Sequence, residues 1–277
     1  MLGRYPIGVM QGRLLPKYNG RYQAHPKGYW QDEFGLCKQL GVELIEFILD
    51  YEDAWENPLL SSEGLVEIKN AISGSGVSVK TICADYFMEA PLHSESPAVV
   101  EQSSKVLDVL IENASQLGVS DIVIPCVDQS TLSDSASQTR FVDQLKPFLE
   151  RADSCGVNFS LETDLAPEPF ARLLEAFDFS PRIKVNYDIG NSAALGYDPA
   201  EEFSCYGKHI SDIHIKDRLR GEGSVELGSG HADFDKVFSL ICGSGYQGPL
   251  IMQVYRDDEG VEVFKSQLNW LQERFSS

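Results

Sequence analysis

Short runs of β-branched and other apolar residues alternate with longer segments of helical periodicity along the whole chain. This alternation is typical of βα units that form a parallel sheet. It predicts strands at residues 5–11, 42–49, 77–83, 121–127, 158–162, 182–188, 210–216 and 249–255. It predicts helices at residues 31–40, 61–73, 97–117, 133–155, 167–177, 199–206, 234–244 and 261–274. Four of these helices are followed by the glycine expected at a helix C-terminus, namely Gly41, Gly118, Gly156 and Gly245.

The number of units favours one fold over its main rival. Eight βα units in 277 residues match the size of a closed (β/α)8 TIM barrel. The rival, a doubly wound open sheet, often has a glycine-rich turn between its first strand and first helix. Here the first strand leads through Gln11, Gly12 and Arg13 into a long polar loop instead. Because no linker or composition shift divides the chain, residues 1–277 are predicted to form one barrel domain.

The amino-acid composition limits the kinds of molecule that the protein is expected to bind. The 42 acidic and 23 basic residues give a formal charge of -19, which disfavours binding to nucleic acid and to anionic membranes. The six cysteines include no CxxC pair, and such isolated thiols are typical of a reducing compartment. The sequence begins without a signal-like apolar segment and has no apolar run long enough to span a bilayer. We therefore expect a cytoplasmic protein with a small-molecule partner.

The last four predicted strands each end in one polar side chain after apolar sequence. These side chains are Glu162, Asp188, His214 and Gln253. The active site of a TIM barrel lies at the C-terminal ends of its strands, so the four groups are expected to converge. Three oxygen donors and one nitrogen donor suit a divalent cation such as Mn2+, Mg2+, Co2+ or Zn2+. The alternative is that each is a separate strand-end residue, ion-paired or solvated.

Positive residues collect in the same region of this acidic chain. Lys216 shares a strand face with His214, and two readings of it stay open. It acts as an acid or an anion ligand at the site, or it pairs with Asp188 or Asp217. Four arginines fall at strand ends or in the loops that follow them, namely Arg13, Arg218, Arg220 and Arg256. Guanidinium groups there favour a phosphate or carboxylate on the substrate, although loop arginines are also commonly solvated.

Five segments in order resemble one known family. They are Ser160-Leu-Glu-Thr, Asn186-Tyr-Asp-Ile-Gly-Asn191, Asp212-Ile-His-Ile-Lys-Asp217, Leu227-Gly-Ser-Gly-His-Ala-Asp-Phe234 and Gly245-Tyr-Gln-Gly-Pro-Leu-Ile-Met-Gln253. Together they resemble the xylose isomerase-like barrel family, which includes sugar phosphate isomerases and epimerases, inosose dehydratase and the endonuclease IV group. The similarity spans essentially the whole chain and is densest at residues 160–256.

The resemblance implies a metal site with one departure. In the ketose epimerases of the family, a Glu, an Asp, a His and a second Glu bind one divalent metal, and the two glutamates move protons on opposite faces of the substrate. The first three correspond to Glu162, Asp188 and His214, and the fourth falls on Gln253. An amide oxygen can bind a metal, but an amide does not exchange protons. This departure lowers the expectation of a two-glutamate epimerase and leaves Glu162 as base, alone or with Lys216.

The resemblance also suggests secondary candidates. Asn191 is placed near the substrate, with a turn cap as the alternative. Glu168 is placed in contact with the substrate, with stabilisation of a helix N-terminus as the alternative. Glu46 matches a family position, and a buried ion pair explains it equally well. The long aromatic loop at residues 14–29, which contains His25, is expected to form part of a lid over the barrel mouth.

These inferences predict a divalent-metal-dependent isomerase or epimerase of a small sugar or sugar phosphate, in which Glu162 moves a proton through an enediolate. A dehydratase acting on a keto-sugar or inosose at the same site is one alternative. A barrel that binds a sugar without catalysis is another. A DNA-cutting relative is disfavoured by the net charge and by the presence of only five histidines. The resemblance leaves a homodimer open.

Overall fold

Eight parallel strands close into a barrel in a computed structural model that describes residues 5–276. They are β1 (Ile7–Met10), β2 (Leu44–Ile48), β3 (Ser78–Cys83), β4 (Asp121–Cys126), β5 (Asn158–Thr163), β6 (Ile183–Asp188), β7 (Ile210–Ile215) and β10 (Leu250–Met252). Each strand pairs with its neighbour in the chain, and β1 closes the ring against β10 through Ile7 opposite Leu250. The predicted (β/α)8 barrel and all eight predicted strands are confirmed. Residues 1–4 and 277 of the predicted domain lie outside the described residues.

Helices follow the strands and cover the outside of the barrel. They are α1 (Asp32–Leu40), α2 (Ser62–Ser75), α3 (Tyr86–Glu89), α4 (Pro97–Leu117), α5 (Ser135–Leu145), α6 (Leu149–Cys155), α7 (Pro167–Glu175), α8 (Ile189–Leu195), α9 (Pro199–Tyr206), α10 (Phe234–Ser244) and α11 (Val261–Ser276). Within residues 5–276, none is long and apolar enough to cross a membrane.

The structure corrects the predicted elements at three places. The single helix predicted at residues 133–155 is divided into α5 and α6 by a 3-10 turn at Lys146–Phe148, where Pro147 lacks the N–H that a continuous helix requires. The short helices α3 and α8 were not predicted, because each follows directly on a strand end. A two-stranded hairpin, β8 (Asp217–Arg218) with β9 (Ser224–Val225), lies in the loop after β7.

The barrel interior holds an apolar cluster beside buried polar side chains. Five side chains from β1 to β4 and from β10 form this cluster, namely Met10, Ile48, Cys83, Val123 and Ile251. The buried polar side chains include Glu162, Asp188 and His214 on β5 to β7, and also Glu46 on β2 and Asp121 on β4. Because Glu46 contacts His214, the polar groups of the interior come from both halves of the barrel.

Candidate active site

Three ligand-type side chains meet at the C-terminal ends of neighbouring strands. Glu162 lies near the end of β5, Asp188 ends β6, and His214 lies near the end of β7. Each contributes an atom of a metal-ligand type, and these atoms lie within 4.8 Å of one another. All three side chains are buried, and His214 has no exposed surface. Buried charged groups this close need a counter-charge.

The orientation of His214 fits a metal ligand. Its Nε2 lies 2.8 Å from Oε1 of Glu46, and because a carboxylate accepts, Nε2 carries the hydrogen. The lone pair is therefore on Nδ1, which is buried and has no hydrogen-bond partner among the described residues. Nδ1 points toward Asp188, whose Oδ2 is 3.9 Å away. A carboxylate that fixes the tautomer of a histidine behind a metal is a recurrent arrangement, so this donor set fits a divalent cation.

A second buried carboxyl group, that of Asp212, lies against Glu46. Burial raises the pKa of Glu46 to about 7. Burial and the negative charge of Glu46 raise the pKa of Asp212 well above its ordinary value. The raised pKa favours the protonated form of Asp212, in which this group can donate a hydrogen bond to Glu46. Glu46 makes a hydrogen bond with a neutral imidazole, in place of the buried ion pair that the sequence offered as one explanation of this residue.

Lys216 places its ammonium group beside the ligand cluster. Nζ lies 3.1 Å from Oδ2 of Asp188, 3.0 Å from Oε1 of Gln253 and 3.2 Å from Oδ1 of Asn191. Of its two expected partners, Asp188 is in contact. Asp217 instead accepts hydrogen bonds from three backbone N–H groups of the loop after β9, those of residues 228, 230 and 232.

Asn191 connects the carboxylates to the cations. Its backbone N–H donates to Oδ1 of Asp188 at 2.8 Å, and its Nδ2 donates to Oε1 of Glu162 at 2.6 Å. Its side-chain oxygen accepts from Lys216 and, at 2.8 Å, from Nη1 of Arg218. Asp188 therefore caps the first turn of α8 through the N–H of Asn191, and the side chain of Asn191 contacts the base candidate.

The protein environment shifts the pKa values of the two carboxylates in the cluster in opposite directions. Burial and the neighbouring charge of Asp188 raise the pKa of Glu162 to about 7, although His214 and Lys216 oppose this. Burial also acts on Asp188, but Lys216, His214 and the N–H of Asn191 outweigh it and lower the pKa of that carboxyl. A carboxyl group with a pKa near 7 is suited to accept and return a proton at neutral pH.

A cavity of about 430 Å³ opens above this cluster. The residues that line it include Glu162, Asn191, Lys216, Arg218 and Gln253. The other lining residues are Arg13, Tyr22, Gln23, Asp85, Met88, Pro125, Val127, Asp128, Gly223 and Ser224. The volume is in the range of small-molecule sites.

Three of the predicted substrate-binding residues do not line this cavity. Arg256 is buried and donates to four backbone carbonyls, those of residues 12, 15, 257 and 258. Arg220 lies against Gly196 beside a different cavity of about 250 Å³. Glu168 is an exposed residue in the first turn of α7, 3.7 Å from Arg172.

Two other expectations concern the loop after β1. Arg13 lines the cavity, but each of its three nitrogens donates within the protein, to the carbonyls of Val254 and Tyr22 and to Gln23. His25 is buried between the rings of Trp30 and Phe47. Tyr22 and Gln23 of the same loop line the cavity, so this part of the loop lies at the barrel mouth.

Sequence reasoning missed Gln23, Asp85 and Glu33. Gln23 contacts Gln253 and Arg13 inside the cavity. Asp85 follows the third strand, and its Oδ2 accepts a hydrogen bond from Nε2 of Gln23 at 2.8 Å. Glu33 is fully buried and accepts from the backbone N–H groups of residues 12 and 14. A glutamate in the first turn of a helix and a glutamine in a long loop carry no signal in a single sequence.

Known proteins are similar to this chain both in sequence and in fold. The sequence is similar to the L-ribulose-5-phosphate 3-epimerase UlaE of Escherichia coli, with 28% identity over 265 residues that cover 92% of this chain and 93% of the relative. The fold is similar to that of the 3-keto-D-glucoside 4-epimerase YcjR of E. coli, with a TM-score of 0.74, 18% identity, and coverage of 97% of this chain and 99% of the other.

A xylose isomerase-like TIM barrel protein from Mycobacterium smegmatis, solved in complex with magnesium, has a TM-score of 0.71 and 16% identity, and the match covers 98% of this chain and 96% of that one. The sequence model of the xylose isomerase-like TIM barrel family matches residues 34–274. This match takes in seven of the eight barrel strands and all of the ligand-type residues described above. The chain therefore belongs to the xylose isomerase-like TIM barrel family.

Proposed function

We propose that this protein is a divalent-metal-dependent isomerase or epimerase of a small ketose or ketose phosphate. The observation that carries the proposal is the cluster of Glu162, Asp188 and His214 next to the cavity that Glu162 lines, in which the buried Nδ1 of His214 has no hydrogen-bond partner among residues 5–276. The E. coli relative is named as an epimerase of a sugar phosphate, which supports the substrate class.

Glu162, Asp188 and His214 would hold the metal, with the amide oxygen of Gln253 as the fourth donor. Mn2+, Mg2+, Co2+ and Zn2+ all suit two carboxylates, one imidazole and one amide oxygen. When bound, such an ion supplies Lewis-acid polarisation of a carbonyl and its neighbouring hydroxyl. Glu46 keeps His214 in the required tautomer.

Glu162 is the proposed base. Its carboxylate takes the proton from the carbon next to the substrate carbonyl, and the electron pair moves to the carbonyl oxygen to give an enediolate. Return of a proton to the neighbouring carbon completes an isomerisation, and return to the opposite face of the same carbon completes an epimerisation. Asn191 holds Glu162 in place through its Nδ2. Lys216, whose ammonium lies at the same cavity wall, donates to the developing oxyanion.

Arg218 supports the choice of an anionic substrate. It lines the cavity with Lys216 and Arg13, so three cations face this cavity in a chain whose net charge is strongly negative. A phosphate group on the substrate would lie against Arg218 and Lys216. Arg13 contributes through its charge and through the hydrogen bond that its Nη2 donates to Gln23.

Deuterium exchange from solvent tests the proposal. The protein is incubated in D2O with each of the four metal ions and a panel of ketoses and their phosphates, and each sugar is examined by mass spectrometry and NMR. We expect deuterium on the carbon next to the carbonyl, with an isomer or epimer as product. Glu162→Gln is expected to reduce the exchange rate about 10²- to 10⁴-fold, and Glu175→Gln, an exposed change on α7, serves as the matched control.

Each other outcome has a distinct meaning. A product that has lost water identifies a dehydratase at the same site. Saturable sugar binding with no exchange for any sugar identifies a binding barrel, and exchange that survives Glu162→Gln removes Glu162 from the role of base.

A further inference from the structure

We propose that Gln23 determines the chemistry of position 253 by requiring an amide there instead of a carboxylate of the same shape. The inference rests on the metal site of the proposed function, because Gln253 is its fourth donor. It assigns a specific role to a loop residue that does not itself bind the metal. The argument depends on which atoms of the two side-chain amides can donate and which can accept.

The orientation of the Gln23 amide is fixed from two sides. Its oxygen accepts from Nη2 of Arg13 at 2.8 Å, and a guanidinium group can only donate. Its nitrogen donates to Oδ2 of Asp85 at 2.8 Å, and a carboxylate can only accept. A flipped amide would place two donors together at Arg13 and two acceptors together at Asp85. Gln23 therefore presents its oxygen, and not its nitrogen, to any group beside Arg13.

The orientation of the Gln253 amide follows from the same rule. Its oxygen lies 3.0 Å from Nζ of Lys216, which can only donate. Its nitrogen therefore faces Gln23 and donates to the fixed oxygen of that residue at 3.1 Å. Arg13, Gln23, Gln253 and Lys216 form one continuous chain of hydrogen bonds across the cavity floor.

Of the two contacts of Gln253, only the one with Gln23 distinguishes an amide from a carboxylate at this position. Lys216 would accept either group, since both present an oxygen to its ammonium. Gln23 would not, because a carboxylate oxygen would then lie about 3 Å from the Gln23 oxygen with no hydrogen between them. Gln253 is buried and Gln23 is partly buried, so water reaches this contact only in part. The constraint on position 253 thus comes from Gln23, whose orientation is fixed by Arg13 and Asp85.

The consequence for the site is a fourth donor without charge. An amide keeps the oxygen that faces Lys216 and the ligand cluster, but it does not exchange a proton. Proton transfer is thereby left to groups other than residue 253. The metal affinity of the site is also lower than the same fold would give with a third carboxylate, because a neutral oxygen is the weaker ligand for a divalent cation.

A double-mutant cycle tests the inference. The four proteins are the wild type, Gln253→Glu, Gln23→Leu, and the double variant Gln23→Leu/Gln253→Glu. Mn2+ affinity is measured by isothermal titration calorimetry, and the melting temperature is measured without added metal. Gln129→Leu, another change of a loop glutamine near the cavity, is combined with Gln253→Glu as the matched control.

We expect Gln253→Glu to change Mn2+ affinity little when Gln23 is present and to tighten it about tenfold when Gln23 is leucine. We also expect Gln253→Glu to lower the melting temperature in the wild-type and Gln129→Leu backgrounds and not in the Gln23→Leu background. Equal effects of Gln253→Glu in all backgrounds would overturn the inference while leaving the metal site intact. If no variant binds Mn2+, the proposed metal site fails, and the melting temperatures alone decide whether Gln23 and residue 253 are coupled.

Discussion

Two buried nitrogen-containing side chains at the barrel mouth, Arg256 and His214, show how differently a fold can use polar groups. Arg256, in the loop after β10, donates to four backbone carbonyls and links this loop to the loop after β1. His214, on the neighbouring strand β7, has one nitrogen held by Glu46 and the other without a hydrogen-bond partner in the described part of the chain.

The difference between them is hydrogen-bond satisfaction and not burial. Buried polar groups are normally paired, so a buried imidazole nitrogen that has no hydrogen-bond partner among the described residues and lies next to two carboxylates fits the donor set of a metal site. A buried arginine that is fully paired indicates a structural link. Both residues were proposed from the sequence as functional because both follow strand ends, and sequence position alone does not separate the two uses.

The largest expected effect separates the two residues by metal affinity. His214→Ala removes the imidazole nitrogen from the ligand cluster, and we expect it to weaken Mn2+ binding by more than the roughly 10- to 100-fold typical for loss of a supporting partner. Elemental analysis and calorimetry measure this. Arg256→Met is expected to bind Mn2+ as the wild type does. Equal loss of metal in the two variants would remove the distinction drawn above.

The second prediction concerns stability, for which the substitution of Arg256 is expected to have the larger effect of the two. Arg256→Met removes four hydrogen bonds to backbone carbonyls, at roughly 1 kcal/mol each, so we expect the free energy of unfolding to fall by about 4 kcal/mol. Urea denaturation followed by circular dichroism gives the value. Lys265→Met, an exposed change on α11, is the control. A fall below about 1 kcal/mol would mean that water replaces the guanidinium group.

A third prediction concerns the pH dependence of stability and its link to His25, a buried histidine in the loop after β1. Burial lowers the pKa of His25 to about 4, below its ordinary value of about 6.5, so the folded state holds this imidazole neutral. The stability that depends on His25 is present above pH 6.5 and is lost as the pH falls toward 4, by about 3 kcal/mol over the whole window.

Comparison with His25→Gln isolates this effect. We expect the unfolding free energy of the wild type to decline more steeply between pH 7 and pH 4 than that of the variant. His93, whose pKa burial also lowers to about 4, is present in both proteins and cancels. Parallel declines would show that His25 accepts a proton without loss of stability.

The smallest expected effect sharpens the assignment of Glu46. Glu46→Gln keeps an oxygen that can accept from His214 but removes its charge, so the imidazole becomes a weaker donor to a metal. We expect Mn2+ affinity to fall about tenfold, at the low end for a supporting partner, with little change in melting temperature. A Glu46→Gln protein that binds Mn2+ as tightly as the wild type would show that the carboxylate charge is not needed.

The sequence was sufficient for the barrel because periodicity and glycine stops report directly on strands and helices. The strand-end positions of Glu162, Asp188 and His214 followed from the fold, and the structure brings these three together. The network of Gln23 with Gln253 could not be predicted, since it depends on how a long loop packs over the barrel end. The placement of Arg220 and Glu168 away from the cavity depends in the same way on loop and helix geometry, which no local pattern encodes.

The apolar cluster inside the barrel bears on how such a fold can change over time. Met10, Ile48, Cys83, Val123 and Ile251 belong mostly to β1 to β4, while Glu162, Asp188 and His214 belong to β5 to β7. Substitutions that alter substrate choice in the loops around the cavity leave this cluster unchanged. New activities can therefore arise within this framework while the margin of stability, which limits the mutations a protein tolerates, is largely preserved.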